Sequence, residues 1–91
     1  MKRLELSARL KAARLKKQLT IRELSMMTDC YVSNPYISQI ENGCIGRVSL
    51  GVLYKLAAPL DLNFITLAKL AGYPTGKNSK VEGFLKYARP Q

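Results

Sequence analysis

Apolar residues recur along the chain at helical intervals and almost nowhere alternate with period two, so the pattern predicts a helical protein. Leu6, Leu10 and Ala13 stand at i, i+4 and i+7, the inner stripe of a first helix over about residues 4–17. Arg14 lies four beyond Leu10 and shares that face, which leaves a charged side chain in need of a partner. Thr20-Ile21-Arg22-Glu23 has the form of a capping box, a cap hydroxyl with a carboxylate three residues on. It opens a second helix that should end near Thr28 or Asp29, with Leu24 and Met27 pointing inward. Asp29 to Val32 is the expected turn. Ser33 then caps a third helix, Asn34 to about Glu41, with Pro35 in the first turn, where its missing N–H does no harm. Ile37 and Ile40 are its inward residues, and Asn42-Gly43 ends it.

Ser49 caps a fourth helix carrying Leu50, Leu53, Leu56 and Ala57, which Pro59 is expected to stop. Asn63 caps a fifth, with Phe64, Ile65, Leu67 and Ala68, and Gly72-Tyr73-Pro74 closes the unit. Residues 1–73 are thus read as one all-α domain of five helices, and 74–91 as a linker and tail. In the tail Val81, Phe84 and Leu85 have the spacing of a sixth helix, which Gly83 weakens. That stripe has two readings: an oligomerisation element, or a segment folded back on the domain's own core.

Charge changes the picture. The 91 residues hold 15 Lys and Arg against 6 Asp and Glu, a net charge of +9 and a pI near 9.9. Such a domain is steered toward polyanions, nucleic acid first, an anionic membrane surface or an acidic protein after it. Lys2, Arg3, Arg9, Lys11, Arg14, Lys16 and Lys17 crowd the first helix, a run that is most simply a solvated face. With no histidine and only Cys30 and Cys44, no metal site or cofactor is expected and the thiols are read as free. The same absences, with no paired carboxylates, argue against an enzyme. No apolar run approaches a membrane span and no secretory signal stands at the N-terminus, which points to a cytoplasmic, nucleoid-associated protein with no membrane partner.

Helices two and three, amphipathic and joined by a short turn, have the layout of a helix-turn-helix unit, whose second helix enters the DNA major groove. With Ile37 and Ile40 inside, the exposed residues of that helix are Asn34, Pro35, Tyr36, Ser38 and Gln39, the candidate base contacts. Asn and Gln pair bidentately with an adenine edge, Ser is less selective, and Tyr36 offers a contact to a sugar, a phosphate or a thymine methyl. Gln39 is the leading base reader. Thr20 and the amides after it, flanked by Arg22, Asn42, Arg47 and Lys17, form the candidate phosphate-binding set.

Four segments resemble the Xre/Cro family of lambda-repressor-like domains: Leu6 to Arg14, Leu19 to Ser25 with its Leu-Thr-x-x-Glu-Leu run, Val32 to Gly43 with its Glu-Asn-Gly ending, and Ser49 to Ala57. The resemblance spans about residues 4–73 and implies a compact five-helix fold. It places base contacts at Asn34, Pro35, Ser38 and Gln39, and pairs Arg14 with Glu41. It departs from the family in two places. The turn is about two residues longer, through Cys30 and Tyr31, and Ile21 replaces a glutamine that braces the recognition helix. The implied function is a duplex-DNA-binding transcriptional regulator, most simply a repressor, acting as a homodimer on half-sites roughly 34 Å apart. The competing function is an antitoxin or other interaction module on the same fold, which would hold a protein partner through residues 77–91.

Overall fold

The computed structural model describes residues 2–88; Met1 and the last three positions of the tail lie outside the described residues. Six helices follow in order: α1 Lys2–Lys16, α2 Ile21–Met27, α3 Asn34–Glu41, α4 Leu50–Leu60, α5 Phe64–Leu70 and α6 Lys80–Ala88. Each short helix starts where a side chain satisfies an orphan amide. Thr20, Ser33, Ser49 and Asn63 accept hydrogen bonds from the N–H of Glu23, Tyr36, Val52 and Thr66 respectively. The ends obey a second local rule. Gln18, Asp29, Gly43, Asp61 and Gly72 adopt left-handed backbone, and the residue after each donates back to the helix's last turn, as Cys44 N–H does to Gln39 C=O at 2.9 Å.

Two boundaries differ from the sequence reading. Pro59 does not stop α4, which continues through Leu60 and turns at Asp61, φ 55°. A proline in the last turn forfeits only one helical bond, and Leu62 N–H still reaches Ala57 C=O at 2.9 Å to close the helix. Met27 does not point inward; it is 52% exposed. The inner face of α2 is instead Ile21, Leu24, Ser25 and Thr28, at i, i+3, i+4 and i+7. Two hydroxyls thus stand where an apolar residue was expected.

The core joins Leu6 and Leu10 of α1, Leu24, Val32, Ile37 and Ile40, Val48, the inner face of α4 and Leu67 of α5. Leu53 at its centre has no exposed surface. The tail folds back: Val81 is fully buried, and the Phe84 ring meets those of Tyr54 and Phe64, each at 5.5 Å between centroids. A Cα radius of gyration of 12.5 Å fits α6 docked onto one packed body, since a single domain of this length has about 12 Å. Among the described residues no buried side-chain polar atom lacks a hydrogen-bond partner, and no helix is long and apolar enough to cross a membrane.

Candidate nucleic-acid interface

The outward face of α3 follows from what its inward face must do. Ile37 and Ile40 are each 2% exposed, which rotates Pro35, Ser38, Gln39 and Asn42 to the opposite side at i, i+3, i+4 and i+7. Asn34, Pro35, Gln39 and Asn42 are exposed; Ser38 is half-buried, and Tyr36 is half-buried with its ring against the core. The structure thus brings the polar readers Asn34, Ser38 and Gln39 to one surface, with Tyr36 on its flank.

Both ends of α3 are pinned. At the C-terminal end the Arg14 guanidinium donates from Nε to Glu41 Oε2 at 2.7 Å and from Nη2 to Oε1 at 2.9 Å. Its third donor, Nη1, bonds the Leu19 carbonyl at 2.8 Å. One side chain therefore ties α1, the α1–α2 loop and the last residue of α3. The hydrogen bonds from Glu41 hold Arg14 above its ordinary pKa, with burial opposing them. Nearby, the Ser7 hydroxyl donates to Ile40 C=O at 2.6 Å. Gly43 follows at φ 72°, and a Cβ there would stand 3.2 Å from Leu4 Cδ2, so glycine serves both the turn and the approach of α1.

The N-terminal end is held by residues the sequence reading passed over. The Thr28 hydroxyl donates to Ser25 C=O at 2.6 Å and accepts from Val32 N–H at 3.1 Å, while the Ser25 hydroxyl donates to Val32 C=O at 2.6 Å. Both groups of the Val32 peptide are thereby clamped one residue before the cap of α3. This clamp does the work of the missing glutamine at position 21, where Ile21 packs against the core. Its signal lay in the spacing of Ser25 and Thr28 with Leu24, and the apolar Met27 drew the reading away.

The long turn takes two successive left-handed residues, Asp29 at φ 57° and Cys30 at φ 61°, and swings Tyr31 over α4. Its hydroxyl lies 2.9 Å from where a Gly51 Cβ would be, and Lys55 Nζ sits 5.8 Å from its ring centroid. Tyr31 is 58% exposed and free to swing. Gly51→Ala should therefore displace the ring without unfolding the chain. It should raise stability by about 0.5 kcal/mol through helix propensity. Thermal melting checks this, and a lowered midpoint would mean that the turn depends on Tyr31 staying in place.

The candidate phosphate ligands are less of one piece. Arg22 and Asn42 are exposed. Arg47 is exposed too, its guanidinium 5.1 Å above the Tyr73 ring, while Tyr73 Oη donates to Val48 C=O at 2.9 Å and fixes the α3–α4 loop. Thr20 is engaged in its own capping box: its hydroxyl accepts from Glu23 N–H, and its N–H donates to Glu23 Oε1 at 2.8 Å. That narrows the open donors of α2 to the amides of Ile21 and Arg22 and sets a carboxylate beside them. Lys17 pairs with Asp61, just past the end of α4. Contact with a phosphate would require that exposed pair to open, at a cost of about 0–1 kcal/mol. Cys30 and Cys44 are free and exposed.

Among known proteins, no curated protein and no solved structure gives a significant match. A family model described as helix-turn-helix matches residues 10–67, from the middle of α1 through most of α5. Those residues include the α2–turn–α3 unit, both clamps on α3 and the loop held by Tyr73. The chain belongs to the Xre/lambda-repressor-like helix-turn-helix family of DNA-binding regulators.

Proposed function

We propose that this protein is a sequence-specific transcriptional repressor that lays α3 in the major groove of duplex DNA, one half of a homodimer on a two-fold symmetric site. The observation that carries this reading is the exposed polar face of α3, supported from beneath by Ile37 and Ile40 and clamped at both ends. A rigid helix can hold a side chain to the geometry that base discrimination demands. Gln39 is the principal base reader, with Asn34 and Ser38 beside it; Pro35 and Tyr36 offer apolar contact to thymine methyls or sugars. Arg22, Arg47, Asn42 and the amides at the start of α2 set the register on the phosphates, and Thr20 and Lys17 stand at the margin of that set.

Selection from a random duplex pool should enrich a symmetric site. On that site Gln39→Ala should cost about 1–3 kcal/mol, roughly 5- to 150-fold in affinity, and relax preference at one base position in each half. Arg47→Ala should weaken all sequences alike and lower the slope of log affinity against log salt by about one. Fluorescence anisotropy over a salt series reads both effects. No enriched site and no salt-dependent duplex binding would overturn the proposal.

A further inference from the structure

The helix α1 is apolar on two sides. Its inner face, Leu6, Leu10 and Ala13, packs against α3, α4 and α5. Its outer face carries a second stripe, Leu4, Ala8, Ala12 and Leu15, and all four are exposed, the leucines at 55% and 56%. Positions i, i+4, i+8 and i+11 share one side of a helix, and this stripe extends about 16 Å along the axis. A helix with apolar residues all round is ordinarily covered on both sides.

From this outer face we infer that α1 pairs with α1 of a second copy of this chain, antiparallel and about a two-fold axis near residues 9–10. The stripe is its own complement under that operation. Leu4 of each copy meets Leu15 of the other, and the small side chains of Ala8 and Ala12 let the two backbones approach at the centre. The charged edges select the direction. Glu5 and Lys16 flank the stripe on the same edge, at opposite ends, and neither has an ion-pair partner among the described residues. An antiparallel two-fold keeps each edge facing its own copy and reverses its direction, so Glu5 of each chain meets Lys16 of the other, twice. Parallel pairing forms neither contact. On the other edge Lys11 stands near the axis in both copies, and its long stem turns the ammonium out to water. Three turns of helix cover less than the roughly 800 Å² per partner of a stable interface, so the dimer is weak and set by concentration.

This inference stands apart from the DNA reading, which holds or fails on α3. Sedimentation velocity of the full chain from micromolar to millimolar concentration should show a monomer–dimer equilibrium. Ala12→Glu, at an exposed helical position, should weaken the dimer at least tenfold with unchanged circular dichroism at low concentration. Lys11→Leu should tighten it. Glu5→Lys and Lys16→Glu should each weaken it, and the double swap should restore most of the loss. A chain monomeric at every concentration, whether or not it binds anionic vesicles, overturns the inference. So does a dimer indifferent to Ala12→Glu, or a double swap no better than its single variants.

Discussion

Arg14→Ala should lower stability by about 3–5 kcal/mol, because it leaves the Glu41 carboxylate, whose side chain is only 5% exposed, without its cation. It also strips the Leu19 carbonyl of a donor. For a domain of this size that is a fall of about 15–30 °C in melting midpoint, enough to populate unfolded chain near physiological temperature. Glu41→Ala should cost less than Arg14→Ala, because Arg14 keeps Leu19 and lies closer to water. The double variant should lose less than the sum, since the second substitution removes the stranded charge. On the arginine side the pair brings no pH dependence in ordinary buffers. A folded-state pKa raised by Glu41 gives stability that is fully present at lower pH and is lost only as pH climbs through it, at strongly alkaline values. Calorimetry of the two single variants and the double decides the matter. An Arg14→Ala midpoint equal to wild type would remove the clamp as a source of stability.

What the sequence made legible is local. A hydroxyl or amide cap acts on an amide two or three residues away, so Thr20, Ser33, Ser49 and Asn63 announced the starts of α2 to α5. Ile37 and Ile40, three apart, then dictated the outward side of α3, and the all-helical lambda-repressor-like fold followed from these elements in order. Less was legible wherever the outcome depended on residues distant in the chain. Met27 is more apolar than Thr28, yet Thr28 is buried, because the folded-back Val32 peptide supplies the partners that make burying a hydroxyl inexpensive. Pro59 reads as a stop, but Asp61 in left-handed backbone decided the end of α4. The tail stripe could have faced a partner or its own domain. The rings of Tyr54 and Phe64, 5.5 Å apart on α4 and α5, supplied a site for Phe84 that no periodicity reveals. The pull of Asp61 on Lys17 was hidden for the same reason, a partner 44 positions away.

The clamp at the start of α3 gives the second large effect. Thr28→Val keeps the shape of the side chain but removes both its hydrogen bonds, so the buried Val32 N–H loses its acceptor and the Ser25 carbonyl loses one donor. Two such losses at a buried site should cost about 2–3 kcal/mol. The expected consequence is also local. Val32 immediately precedes the Ser33 cap, and a Val32 peptide without its clamp lets the long turn, with its two left-handed residues, sample other paths. Amide hydrogen exchange should therefore accelerate first at Val32 and in the first turn of α3, ahead of the core of α4, while Glu41 and its partner remain in place. Thr28→Ser restores the hydroxyl and should recover most of the stability, short of the methyl group's packing. If Thr28→Val melts with wild type, or its exchange rises evenly over the whole chain, the turn is held by the aliphatic core beneath it. The hydroxyl pair would then be incidental to the placement of the recognition helix.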